Sequence, residues 1–136
     1  SSRDANTVTA VDTRTNAAVR TYAVSPSPQR LALAADGRTL WVASEGQGLE
    51  ALDLESGTRL TADGVAPGAV GLALSPDGAQ LYVTNPPAGR VQVVDVASRR
   101  VVRTLGAARS PRNVAFDATG RVALITDEAG AVVFVR

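Results

Sequence analysis

The feature that most constrains this chain is an internal repeat with a period of about 41 residues. Three segments align around a turn glycine: LAADGRTLWVAS (33–44), LSPDGAQLYVTN (74–85) and FDATGRVALITD (116–127). A second set follows them at the same spacing: VTAVD (8–12), LEALD (49–53), VQVVD (91–95) and, in the fourth such place, AVVFV (131–135). A period of this length, sustained along the chain, is typical of repeat architectures in which each unit packs on its neighbours.

Within one period, apolar residues alternate along the chain rather than following a helical spacing. Val91 and Val93 share one side, and Leu31 and Leu33 do the same before the Asp36-Gly37 turn. Short alternating runs bounded by Asp-Gly, Pro and Gly predict β-strands joined by turns. Four strands fit in each period, which is the signature of a β-propeller blade. The predicted fold class is therefore all-β, with propeller blades of four antiparallel strands.

The predicted strands amount to a little over three blades within a single partial propeller domain, residues 1–136. The predicted blade pieces are 6–24, 28–65, 67–107 and 111–136. A closed propeller has about four to eight blades, so the ring is predicted to be incomplete. We expect it to be completed by the rest of its own propeller, or by another subunit or copy. The lack of an initiator Met and the stop after a third strand favour the first, with the chain as the C-terminal part of a longer one.

The composition excludes several kinds of catalytic site. The chain has no Cys, His or Lys, which excludes thiolate nucleophiles, His-ligated haem, a Ser-His-Asp triad and a Schiff-base lysine. We predict no catalytic residue, no metal site and no cofactor. A net charge of +1 does not favour nucleic acid, and no apolar run approaches the length of a membrane helix.

The repeated polar and aromatic residues are predicted to be structural. Gly37 and Gly78 supply the positive φ of a tight turn. Trp41 and Tyr82 occupy equivalent places on second strands, and we expect them to pack between blades. The aspartates that end third strands are predicted to cap the following turn rather than to share a metal ion, because each lies on a different blade. These are Asp12, Asp53 and Asp95.

The middle repeat, Ser75-Pro76-Asp77-Gly78 followed by Leu81-Tyr82-Val83-Thr84-Asn85, resembles the repeat of the YVTN β-propeller family. The resemblance extends over residues 6 to 136 and includes the strand VQVVD, whereas the flanking repeats depart from it, with WVAS (41–44) and LITD (124–127) at the tetrapeptide. It implies a scaffold of the bacterial or archaeal cell envelope, periplasmic or extracellular. The family serves surface-layer, periplasmic and redox-associated proteins alike, so the motif predicts function poorly.

Two functions remain open from the sequence. The first is a non-catalytic scaffold or binding module that recognises a protein or small ligand, including an envelope protein, through loops on one face; a pure assembly module is not distinguished from it. The alternative is the propeller portion of a redox enzyme that resembles haem d1, quinoprotein or lactonase propellers, with its catalytic groups outside this chain. We expect no nucleic-acid partner and no membrane insertion.

Candidate binding residues follow from the propeller register. The inner strands begin at Gln29-Arg30, Ala69-Val70 and Arg112-Asn113, near the mouth of the central channel. Two arginines there predict an anion-attracting rim, unless each is exposed or paired with an acid such as Asp127 or Glu128. With the loops that join second to third strands, the candidates are Arg30, Arg112, Asn113, Glu45, Asp127 and Glu128.

Overall fold

The computed structural model describes residues 1–106 and 109–135, which form thirteen strands and no helix. Two of the predicted blade pieces end at Ala107 and Arg136, which lie outside the described residues. The strands are β1 (Thr7–Asp12), β2 (Ala17–Ala23), β3 (Pro28–Leu33), β4 (Thr39–Ser44), β5 (Gly48–Asp53), β6 (Arg59–Thr61), β7 (Leu72–Leu74), β8 (Gln80–Asn85), β9 (Arg90–Asp95), β10 (Arg100–Leu105), β11 (Pro111–Phe116), β12 (Ala123–Asp127) and β13 (Val132–Val135). Within this part of the chain no helix is long and apolar enough to span a membrane.

The strands form four antiparallel sheets in chain order, and the predicted fold class is confirmed. The first sheet is β1-β2, the second β3-β4-β5-β6, the third β7-β8-β9-β10 and the fourth β11-β12-β13. The second and third sheets are complete four-stranded blades. The inner strand β7 contacts both β3 and β11, so consecutive blades lie side by side around a common axis.

The tight turns have the predicted Asp-Gly structure. Gly37 and Gly78 have φ of 66° and 73°, in the left-handed region that favours glycine. The Asp36 carboxylate accepts the N–H groups of Arg38 and Thr39, both at 2.8 Å. The first and second strands of a blade are therefore joined by turns that the local sequence specifies.

The aspartates that end third strands cap the next turn, as predicted. Asp12 accepts the Arg14 N–H at 2.8 Å, and Asp95 accepts the Ser98 N–H at 2.8 Å. In the second blade the Ser56 N–H and then the Arg38 guanidinium hold the pKa of the Asp53 carboxyl well below its usual range. These carboxylates stabilise their own hairpins in the charged form.

Stability is expected to fall in acid because turn carboxyls have a lower pKa in the folded chain than in the unfolded chain. A carboxyl group whose pKa is lower in the folded chain stabilises the fold at pH values above its unfolded pKa of about 4. This stabilisation is lost as the pH falls through the pKa that the group has in the folded chain. Without histidine, the melting temperature should change little between about pH 5 and pH 7. Thermal melts followed by circular dichroism test this, and an unchanged melting temperature below about pH 3 would contradict it. The carboxyls are Asp12, Asp36, Asp53, Asp77, Asp95, Asp117, Asp127 and Glu128.

Three hydrophobic cores fill the spaces between consecutive sheets. Val8 and Tyr22 of the first sheet pack on Leu40 and Val42 of the second. Trp41 lies in the core between the second and third sheets, and Tyr82 in the core between the third and fourth. Alternate residues of one strand thus face opposite neighbours, which confirms the predicted packing of Trp41 and Tyr82 between blades.

Candidate binding site at the loop face

A cleft of about 520 Å³ lies at the end of the molecule where loops join second to third strands. We call this end the loop face. The second and third sheets contribute through the loops that follow β4 and β8, and the fourth contributes through the beginning of β11. The lining residues are Glu45, Gly68, Val70, Pro86, Pro87, Ser110 and Arg112. The cleft is within the size range of small-ligand sites, and its proline loops need little ordering on binding.

One wall of the cleft is fixed where β7 approaches β11. The hydroxyl of Thr84 accepts the Gly71 N–H at 2.7 Å and donates to the Arg112 carbonyl at 2.9 Å. A Cβ at Gly71 would lie 2.1 Å from the same carbonyl oxygen, so only glycine fits this approach. Thr84 and Gly71 therefore set the position of the Arg112 backbone.

The asparagine of the YVTN-like tetrapeptide orders the opposite wall. Asn85 is fully buried, and its Nδ2 donates to the carbonyls of Pro67 at 3.0 Å and Ala66 at 3.3 Å. Its Oδ1 accepts the Ala88 N–H at 3.2 Å. These bonds connect the linker between the second and third blades to the Pro86-Pro87 loop. Asn85 therefore shapes the cleft although its own side chain does not line it.

The charged groups of the cleft are paired. Arg112 forms an ion pair with Glu128, whose other oxygen accepts the Ser110 hydroxyl at 2.8 Å. The Ser110 hydroxyl and then Arg112 lower the pKa of Glu128. Glu45 pairs with Arg3 at 2.6 Å. Because both pairs are exposed to solvent, each holds its side chains only weakly, and a ligand can exchange for the present partner.

Asp127 is a turn cap of the last blade. Its carboxylate accepts the N–H groups of Arg109 at 2.7 Å, Ser110 at 3.1 Å and Ala129 at 3.0 Å. The Ala129 N–H makes the largest contribution to a lowered pKa, followed by those of Arg109 and Ser110. The side chain is therefore committed to holding the strand entrance at Ser110 and does not line the cleft.

Arg30 and Asn113 meet across the intervening blade. Arg30 pairs with Ala43 in the second sheet, and Asn113 pairs with Thr126 in the fourth. These two residues have equivalent positions in their blades. Gly71 has the same position in the third sheet. The Arg30 guanidinium donates to the Asn113 Oδ1 at 3.1 Å. Because Gly71 carries no side chain, the long arginine can reach past the third blade.

The six predicted residues thus fall into three groups. Arg112 and Glu45 line the cleft, and Glu128 is bonded to Arg112. Arg30 and Asn113 form a separate pair, and Asp127 caps a turn. In the register Arg112 matches Gln29 rather than Arg30, so the two arginines of the predicted rim are not equivalent.

Sequence reasoning missed the residues that build the cleft walls, chiefly Thr84, Gly71 and Gly68. The signal for Gly71 was present, since a glycine inside the apolar run AVGLAL marks a close backbone approach. Thr84 carried no such signal. Its hydroxyl bonds to the Arg112 carbonyl of the neighbouring blade, and this contact is not visible in the motif around Thr84. Among the described residues, no three metal-ligating side chains come together.

Comparisons with known proteins show the fold of this chain. No protein-family model and no curated protein matches its sequence. Among solved structures, it is similar to hydrazine synthase from Kuenenia stuttgartiensis, with a TM-score of 0.86 and 24% sequence identity. The match covers 98% of this chain and 40% of that chain, so the present chain spans well under half of its structural neighbour. At this identity the similarity supports a shared propeller fold and nothing about activity.

Proposed function

We propose that this chain is a non-catalytic binding part of a β-propeller, and that it recognises a partner through the cleft of the loop face. The observation that carries this proposal is that three consecutive blades contribute to one cleft. Its walls are fixed by Thr84 and Asn85, so the recognition surface is held by the rigid part of the fold. A preformed surface loses little conformational entropy on binding.

The partner of this cleft is proposed to present a carboxylate or phosphate to Arg112. The guanidinium offers several donors in a planar fork, which suits these oxyanions. Glu128 occupies it in the present structure through an exposed ion pair. An anionic group of the partner would replace Glu128, and Arg30 would add long-range attraction from the second blade.

The setting proposed for this binding is the periplasm or cell exterior of a bacterium or archaeon. The support is the resemblance of residues 74–85 to the YVTN propeller repeat, with its Ser-Pro-Asp-Gly turn and Tyr-Val-Thr-Asn strand. The burial of Thr84 and Asn85 agrees with the blade role of that tetrapeptide. Membership of the YVTN family is part of the proposal.

Further propeller segments are proposed to complete the ring beside the first sheet. Leu31 and Leu33 of β3 are 36% and 53% exposed, whereas Leu72, the equivalent of Leu31 in the third sheet, is only 9% exposed. Leu72 packs against a complete preceding blade, but β3 follows a sheet of only two strands. An inner pair of strands beside β1 would cover both leucines as the second blade covers Leu72.

The last blade presents a similar surface. Phe134 and Val132 of β13 are 66% and 53% exposed on the side of the fourth sheet that faces away from the third. In the preceding blades the corresponding side holds Trp41 and Tyr82, which are buried against the next blade. The rest of the propeller, another subunit or a second copy would cover this side, and sedimentation of the purified chain distinguishes the second copy by its mass.

The binding proposal is tested with the partner that the immobilised chain captures from an envelope extract, identified by mass spectrometry. Its affinity is then measured for the wild type, for Arg112→Gln with Arg30→Gln, and for the exposed control Arg14→Gln, at two salt concentrations. We expect the double variant to bind about tenfold more weakly and with less salt dependence, since a charge-assisted contact is lost. No captured partner, or equal binding by the double variant, would contradict the proposal.

The second candidate is the propeller portion of a redox enzyme of the haem d1, quinoprotein or lactonase-like kind. The similarity to a chain of hydrazine synthase, an enzyme, fits this candidate as well as it fits the first. The catalytic groups would be supplied by parts of the assembly outside this chain. Two results would support this candidate over the first: a chromophore that copurifies with the complete assembly, and redox activity of that assembly that is unchanged by Arg112→Gln.

A further inference from the structure

A second cleft, of about 400 Å³, lies between the second and third sheets. Its lining includes the turns that follow β3, β5 and β9, so it opens at the end opposite the loop face. Apolar side chains of Trp41, Leu60 and Val96 form part of its lining, beside the charged residues Asp36, Asp53 and Arg99. An apolar cleft of this size with a few polar groups has the character of a small-molecule site.

The two aspartates of this cleft are already occupied. Asp36 accepts two backbone N–H groups and the Thr39 hydroxyl. Asp53 accepts the Ser56 N–H at 2.7 Å and the Arg38 Nε at 2.7 Å. Arg99, by contrast, is half-buried, and no carboxylate of the described residues lies within ion-pair distance of it. Arg99 is therefore the charged group of the lining whose hydrogen-bonding capacity is not already used within the described residues.

The backbone of Arg99 adopts a conformation that suits other residue types better. Its φ is 58°, in the left-handed region. The equivalent positions in the first and second sheets, four residues after the capping aspartate, hold Asn16 and Gly57 with φ of 55° and 77°. Asparagine and glycine tolerate this region, whereas arginine is strained there. A strained residue that departs from its own repeat points to a role other than folding.

The tryptophan beneath this cleft has an unsatisfied donor. Trp41 is buried, and its Nε1–H has no hydrogen-bond acceptor among the described residues. Buried polar groups are nearly always paired, so an orphaned donor calls for a function or a partner. The Nε1–H is itself enclosed, so Arg99 is the residue that offers free donors to a ligand at the surface of this partly apolar cleft.

We infer that this cleft binds a small organic carboxylate with an apolar body. The carboxylate would pair with the Arg99 guanidinium, and the body would pack on Leu60 and Val96, close to the buried Trp41 ring. Arg38 offsets the charge of Asp53, whereas Asp36 keeps its charge and lowers the affinity of the cleft for an anion. This site lies on a different end of the molecule from the proposed recognition cleft and does not depend on it.

The test uses the indole Nε1–H signal of Trp41 in a proton–nitrogen correlation spectrum, because the chain has one tryptophan. The purified chain is titrated with cyclohexanecarboxylate and, separately, with the neutral cyclohexanecarboxamide. We expect a saturable shift of the indole signal with the carboxylate, and at least about tenfold weaker binding of the amide, because the charge-assisted pair is lost. The absence of a saturable shift with the carboxylate, or equal affinity for the amide, would overturn the inference.

Arg99→Asn separates binding from folding, since Asn16 adopts the same turn conformation. We expect this variant to keep or raise the melting temperature and to lose at least about tenfold in affinity for cyclohexanecarboxylate. The matched control is Arg100→Gln, at an exposed neighbour that does not line the cleft. Wild-type affinity in Arg99→Asn, or an equal loss in Arg100→Gln, would show that the cleft is not an Arg99-dependent carboxylate site.

Discussion

Gly71→Ala is expected to lower the free energy of unfolding by about 3 kcal/mol, which corresponds to a fall in melting temperature of about 10 °C. The added Cβ would stand 2.1 Å from the Arg112 carbonyl oxygen and 2.5 Å from the Thr84 Oγ1. The Arg112 carbonyl belongs to the backbone and cannot rotate away, and the Thr84 hydroxyl could turn away only by giving up its hydrogen bonds. The third and fourth blades must therefore separate, and the Thr84 bonds to Gly71 and Arg112 weaken together.

Gly106→Ala is the matched control for this substitution. Gly106 is exposed, has no positive φ, and an added Cβ would meet no described atom within 4 Å. We expect its effect to stay within about 0.5 kcal/mol, as for most surface substitutions. Both variants are compared by thermal and urea unfolding. Equal stability of Gly71→Ala and Gly106→Ala would refute the close approach of β7 to β11.

Trp41→Ala is expected to be the most destabilising substitution in the core between the second and third sheets, by about 3–5 kcal/mol. The ring is 1% exposed and packs with Leu81 and Val83 of the third sheet. Its removal leaves a cavity at the interface of two rigid sheets, which can collapse only in part. Urea unfolding measures the loss, and a change below about 1 kcal/mol would contradict the packing.

Trp41→Phe serves as the conservative comparison. Phenylalanine keeps an aromatic ring in the core and removes the Nε1–H that lacks an acceptor. An unsatisfied buried donor costs about 1–3 kcal/mol, and its removal offsets part of the lost volume. We expect a net cost of about 1 kcal/mol at most. If Trp41→Phe were as unstable as Trp41→Ala, the indole N–H would have to be satisfied in solution.

The features that were predictable from the sequence are local or strictly periodic. The Asp36-Gly37 and Asp77-Gly78 turns depend on residues within a few positions of each other, so their residue types define them. The packing of Trp41 and Tyr82 follows from the two-residue alternation of a strand, which assigns each side chain to one face. The repeat itself then predicted four-stranded blades and their order.

The candidate site was predictable only as a set of loops. The loops around Glu45 and Pro86 lie at one end because the second strands β4 and β8 end there, and Ser110 lies at the same end because the antiparallel first strand β11 begins there. The pairing of Arg112 with Glu128 was one of the stated alternatives. The pairing of Glu45 with Arg3 was not predictable, because no motif links these two distant positions. Asp127 was a plausible ligand residue by position and became a turn cap through three backbone contacts.

The sequence by itself determined the blade: its period, its turns, its capping aspartates and the alternation that buries one face against each neighbour. Only the tertiary structure decided which side chains of different blades meet, as Arg30 meets Asn113 at a separation of 83 residues. Register irregularities between Pro28 and Arg30, and between Pro111 and Asn113, place these two residues at the same level. Such shifts, and the distance between twisted sheets, arise from packing between blades, and a single-residue slip would turn either side chain to the other face.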